Sequence, residues 1–192
     1  MTRRDWPLVL FLYAAVAASF ALFYGGASAL SGLVPWRVRV DLPFEHDLPF
    51  VPWSAVVYLS MDALLLLSAF VFKDSRQLAA FAALLIVEML VAAPVFVLLP
   101  VADVFAPRAA SGLTGVFFQL ADTMNLERNY LPSLHVAFSV TAAKAYGGRW
   151  WWLWAVAIAA STVLMKEHYV VDVLAGAALA LLVYRLLFTR LV

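Results

Sequence analysis

Residues 6–36 read WPLVLFLYAAVAASFALFYGGASALSGLVPW, a run without one charged side chain, and this run decides the class of fold. A helix rises 1.5 Å per residue, so about 20 apolar residues cross the roughly 30 Å hydrocarbon layer of a bilayer. The run therefore holds one span, at 7–30, and segments of similar character follow at 53–72, 78–99, 132–147, 150–165 and 169–188. The fourth and fifth lie at the lower limit of spanning length. The expectation is an all-α polytopic membrane bundle of six transmembrane helices, a single membrane domain over residues 1–192. Composition agrees: 66% of the chain is hydrophobic, 13% is charged and the mean hydropathy is +0.93, whereas soluble domains are about half apolar and a quarter charged. A net charge of +1 gives no field for nucleic acid, which argues against that partner. The absence of cysteine excludes disulfides, thiolate metal sites and cysteine nucleophiles. The first run is twice the length of a signal-peptide apolar core and has no small-residue cleavage site, so it reads as a retained span.

Basic residues orient the bundle, because Lys and Arg concentrate in cytoplasmic flanks. Arg3, Arg4, Lys73, Arg76, Lys144, Arg149, Arg185 and Arg190, eight of the thirteen, fall on the N-terminal side; Arg37, Arg39, Arg108, Arg128 and Lys166 fall on the other. Both termini are expected in the cytoplasm and the protein in the plasma (inner) membrane. Trp150, Trp151, Trp152 and Trp154 beside Arg149 then form an aromatic belt at the inner interface.

Two long connections, 31–52 and 100–131, share the outer side. Leu113, Val116, Phe117, Leu120 and Met124 repeat at helical spacing, so 112–124 is an amphipathic helix. It either lies on the outer leaflet flanking a lipid entry path or packs on the top of the bundle. In the first connection Leu42-Pro43-Phe44 recurs as Leu48-Pro49-Phe50, the pattern of an extended segment at the interface, with no chemistry assigned to it.

Polar chemistry is concentrated at the outer helix ends. Tyr130-Leu131-Pro132-Ser133-Leu134-His135 opens the fourth span, where proline suits the first turn and the free amides near Ser133 make an anion site with His135 beside it. His168 and Asp172 are four apart and share a helix face, so the carboxylate can take the Nδ1 proton and leave Nε2 as a nucleophile.

These residues resemble the type 2 phosphatidic acid phosphatase superfamily. Its second motif, Pro-Ser-x-His, matches Pro132-Ser133-Leu134-His135, and its third, Ser-Arg-x5-His-x3-Asp, matches Ser161, His168 and Asp172 at the family's spacing. The resemblance covers about 85–185. It implies that His168 attacks phosphorus and becomes phosphohistidine, that Asp172 holds its tautomer, and that His135 protonates the leaving oxygen. It implies a membrane phospholipid or lipid phosphate as substrate, with an alcohol as possible acceptor, an extracytoplasmic site, and neither metal nor cofactor.

Three departures qualify it. The first motif, Lys-x6-Arg-Pro, is absent, and Arg108 in Ala106-Pro107-Arg108 is the candidate for its role. Thr162 stands where the third motif has arginine, with Lys166 as the candidate replacement, and Leu134 stands where glycine is usual. With Ser133 and Ser161 these make the expected phosphate-binding set. The departures look more like the inositolphosphorylceramide synthase branch, whose members transfer a headgroup rather than hydrolyse it. Competing readings are His168 and Asp172 as a structural pair or, with His135 and Glu167, as a metal site, a small transporter using Asp62, Glu88 and Lys144, and an idle scaffold of the same fold. Asp62 and Glu88 lie inside spans, where ionisable groups normally face the bundle interior.

Overall fold

The computed structural model describes residues 5–126 and 129–188. Arg3, Arg4, Arg128 and Arg190, used above for orientation, lie outside the described residues. The described chain is all-α: α1 (Trp6–Ser31), α2 (Ser54–Val71), α3 (Ser75–Leu98), α4 (Gly112–Met124), α5 (Leu134–Tyr146), α6 (Arg149–Leu164) and α7 (Val170–Phe188). Among the described residues, strand pairing is limited to a single parallel bridge, Val38 with Val101.

Four of these helices, α1, α2, α3 and α7, are long and apolar enough to cross a bilayer. Helices α5 and α6 match the remaining two expected spans in position but have 13 and 16 residues, about 20 and 24 Å. Length and apolarity therefore establish four candidate spans rather than six. The reason α5 is short lies in its surroundings. It is the central post, packed by α2, α3, α6 and α7, and Leu134 and every residue from Val136 to Ala143 are buried. Protein rather than lipid satisfies it. Its ends are fixed by Ser133, whose hydroxyl accepts from the Val136 amide at 3.4 Å, and by Gly147 and Gly148, whose φ values of 71° and 94° make the tight turn into α6.

One close approach aligns the helices that carry the chemistry. A Cβ at Gly176 of α7 would stand 2.3 Å from the carbonyl oxygen of Ser133, a distance only glycine permits. One turn earlier the Ser133 amide donates to the carbonyl of Asp172 at 3.1 Å. The start of α5 is thereby locked against the first turns of α7. Helix α1 sits differently: it packs chiefly on α3 while Leu10, Phe11 and Leu22 stay more than half exposed, the pattern of a lipid-facing helix.

The apolar stripe of α4 points outward. Leu113, Val116, Leu120 and Met124 are exposed, and the face on the bundle is Gly115, Phe118 and Ala121. The helix thus packs on the bundle by one face, the second of the expected arrangements, and leaves its apolar stripe uncovered. At the opposite end Trp150, Trp152 and Trp154 are exposed, while Trp151 packs edge-on against Tyr146 at 5.0 Å.

Candidate active site

The turn from α6 into α7 carries the reactive residues and is held from three directions. Thr162 O accepts from the amides of Glu167 and His168 at 3.0 and 3.2 Å, which closes the end of α6. That closure places Lys166 at φ 60°, a left-handed conformation costly for a residue with a Cβ. Two outside contacts hold it there: Arg108 Nη1 donates to the Lys166 carbonyl at 2.7 Å, and Lys166 Nζ donates to the Glu45 carbonyl. Glu45 belongs to the first long connection and is fully buried. Its carboxylate accepts the Leu42 amide at 2.5 Å and the Val170 amide, the first of α7, at 2.6 Å. The proline-rich connection is thus the clamp on the helix that follows His168. Nothing in its sequence announced this, because Glu45 and Val170 are 125 positions apart.

His168 Nδ1 lies 3.5 Å from Asp172 Oδ2. This is a close contact without hydrogen-bond geometry, and Nδ1 and Asp172 Oδ1 are both buried with no hydrogen-bond partner among the described residues. Asp172 Oδ2 already takes the Tyr169 amide at 2.9 Å. A small rotation of the ring converts the contact to a hydrogen bond, as catalytic pairs often do only when substrate is bound. Across the gap the His135 ring centroid is 6.1 Å from that of His168.

His135 has its own support. Its ring stacks on Tyr58 at 4.0 Å, and its Nδ1 lies 3.2 Å from the Tyr58 hydroxyl. That hydroxyl donates to Asn125 Oδ1 at 2.5 Å, and Asn125 Nδ2 donates to Glu167 Oε2 at 2.8 Å. A phenol has one proton. With it committed to Asn125, the phenol oxygen accepts from His135, which puts the ring proton on Nδ1 and leaves Nε2 free toward the gap. Tyr58 and Asn125 were missed in the sequence because each acquires a role only through partners in distant segments.

Two cavities meet at His168. One, of about 410 Å³, is a mainly apolar groove among α1, α2, α3 and α5, with Met124 of α4 and both histidines on its wall. The other, of about 330 Å³, is polar and is lined by Asp103, Arg108, Asp122, Asn129, Tyr130 and Glu167 among others. His168, Tyr24, Asn125 and Asn129 line both.

The expected site residues divide accordingly. His135, His168 and Asp172 come together, and Arg108 lines the polar chamber with Nη2 3.3 Å from Asp103 and 3.8 Å from Glu167. Ser133, Ser161 and Lys166 line neither cavity. Ser133 caps α5, Ser161 donates to the Ile158 carbonyl inside α6 at 2.6 Å, and the Lys166 ammonium lies on the Glu45 carbonyl and 4.8 Å above the Phe105 ring. Burial shifts the Lys166 ammonium down and the Glu167 carboxyl up; Arg108, Asn125 and His168 oppose the latter. Among the described residues, no three His, Cys, Asp or Glu converge as a metal site. The intramembrane residues are dispersed: Asp62 lines the apolar groove, Glu88 is buried against Thr141, and Lys144 lies 5.9 Å over Tyr184.

A sequence profile of the PAP2 superfamily, the type 2 phosphatidic acid phosphatases, matches residues 33–186. The chain belongs to that superfamily. Comparison with curated proteins and with solved structures gives no match. The match extends well upstream of residue 85, into the first long connection, where Glu45 docks on the start of α7. Superfamily membership and the apolar helices together make this a membrane protein of the lipid phosphatase or phosphotransferase type.

Proposed function

We propose that the protein moves the phosphorus group of a membrane phospholipid or lipid phosphate through a covalent intermediate on His168. The observation that carries this reading is the meeting of an apolar groove and a polar chamber at that one imidazole. A lipid lying with its chains in the groove presents its phosphate at the junction.

His168 Nε2 attacks phosphorus in line while Asp172, one turn on, steadies Nδ1–H and the charge that develops on the ring. The bond from phosphorus to the leaving oxygen breaks, and that oxygen takes a proton from His135 Nε2, which binds one beside the existing Nδ1–H before this half-reaction so that the ring acts as an imidazolium acid. In the second half an incoming water or alcohol loses its proton to His135 as its oxygen attacks phosphorus and the phosphorus–nitrogen bond breaks. Arg108 balances charge on the equatorial oxygens, the dominant need in phosphoryl transfer. Lys166, Ser133 and Ser161 serve by holding backbone in place. No metal takes part. All six long helices other than α4 cross the membrane, both termini are cytoplasmic, and the site opens on the outer face of the inner membrane.

The test is product partitioning from a phospholipid labelled with radioactive phosphorus, with glycerol or inositol titrated in and with or without a chelator. Label in free phosphate or a headgroup phosphate, or in a new phospholipid, supports the reading when it survives chelation and is lost in His168→Ala. Turnover that needs a divalent ion, or that survives His168→Ala, overturns it.

A further inference from the structure

Two residues of the polar chamber carry a buried acceptor that lacks a donor among the described residues. Glu167 is 7% exposed, and its Oε1 has no hydrogen-bond partner among the described residues; the nearest cation, Arg108, is 3.8 Å away. Asn129 is 2% exposed. Its amide nitrogen donates to the Tyr24 carbonyl at 2.6 Å, which fixes the orientation of the group, and its Oδ1 is left without a partner among the described residues. Two residues of one chamber wall, from separate segments, thus each carry a buried acceptor to which nothing donates among the described residues, a costly arrangement unless a donor reaches them.

Several of the donors on the wall are already committed. Arg108 directs Nη1 at the Lys166 carbonyl and Nη2 at Asp103, and the Asn125 amide is on Glu167 Oε2. Asp103 and Asp122 add two more carboxylates to the wall, so among the described residues three carboxylates face one guanidinium. A chamber built to hold a phosphate monoester dianion would show the reverse balance.

We propose that this chamber seats the headgroup alcohol of a phosphodiester lipid and selects headgroups that donate hydrogen bonds, through hydroxyl or N–H, over a bare phosphate or a headgroup without donors. This rests on the reading of His168 as the phosphorus acceptor, since that places the phosphate at the chamber mouth and the headgroup inside. The ester-linked phosphate keeps one charge near Arg108. The headgroup donors complete Glu167 Oε1 and Asn129 Oδ1.

The test is lipid binding to purified full-length His168→Ala protein, read by native mass spectrometry, with five lipids of identical acyl chains. Their headgroups are glycerol (hydroxyl donors, no charge), ethanolamine (N–H donors and charge), choline (charge, no donor), methyl (neither) and none (phosphatidate). The glycerol and ethanolamine lipids should bind at least about 10² tighter than the methyl lipid and phosphatidate, the discrimination expected when buried acceptors lose their donor. Their order relative to each other separates polyol from ammonium as the donor. In the Glu167→Gln background, which places an amide donor where a carboxylate was, the advantage should shrink at least tenfold. Equal binding of choline and ethanolamine lipids, or tightest binding of phosphatidate, overturns the proposal without reference to the second variant. Headgroup-blind turnover that is lost in His168→Ala removes this proposal and leaves the phosphohistidine reading standing. Headgroup-selective binding with turnover indifferent to His168 does the opposite.

Discussion

The hydroxyl of Tyr58 stands between Asn125 and His135, at 2.5 and 3.2 Å, and the direction of its one proton decides which nitrogen of His135 carries the ring proton in the neutral form. Tyr58→Phe keeps the stacked ring and removes this control. It should lower turnover by roughly 10-fold or more, with the loss in kcat rather than KM and a displaced pH profile, since proton transfer by a well-placed base is worth about 10² to 10⁴. A kcat within twofold of wild type would make the contact structural. Glu167, at the other end of the chain of hydrogen bonds, binds its proton more tightly when folded, chiefly through burial. An acid raised in this way makes the folded state lose stability as pH rises from the ordinary glutamate range through the raised value. Thermal unfolding in detergent should show that downward slope in the wild type and a shallower one in Glu167→Gln. The spacing of His168 and Asp172 made that pair legible in the sequence, because helical periodicity is local. Tyr58, Asn125 and Glu45 were not legible, since each is defined by a partner between 42 and 125 positions away.

At the scale of elements, the contact of Gly176 with Ser133 couples α7 to α5 and with it the nucleophile to the proton carrier. Gly176→Ala puts a methyl group 2.3 Å from a backbone oxygen that has no flexible atom to yield, so the helices must separate. Turnover should fall by at least about 10², with a destabilisation on the order of 1–3 kcal/mol from overpacking, and Gly176→Ser should be no better. Activity preserved in Gly176→Ala would show that the two helices are not held in register by this approach. The helices themselves were readable from apolar run length, and α4 from its spacing. The outward aim of α4's apolar stripe was not, because periodicity defines a face without saying what covers it. The shortness of α5 had a similar source: hydropathy counts apolar residues and does not distinguish burial by lipid from burial by protein.

In the whole molecule, all the chemistry lies at one end. The two long connections, the start of α5 and the turn before α7 meet there, and the turns after α2 and α5 lie at the other. The chain has no cysteine, so single introduced thiols report orientation cleanly. Gln119→Cys, on the exposed side of α4, should react with a membrane-impermeant reagent in intact cells, and Lys73→Cys, between α2 and α3, should react only after lysis. The reverse pattern would invert the bundle and put the site in the cytoplasm. The union of groove and chamber at His168 was beyond the sequence, which offered a histidine, a carboxylate and apolar spans without the volumes between them. The most direct test is trapping of the covalent intermediate. Protein incubated with a phosphorus-labelled lipid phosphate bearing a good leaving group is quenched and digested, and the labelled peptide is sequenced. Acid-labile, alkali-stable label should appear on His168, accumulate in His135→Ala and be absent from His168→Ala; label on any other residue, or full turnover by His168→Ala, would contradict the account.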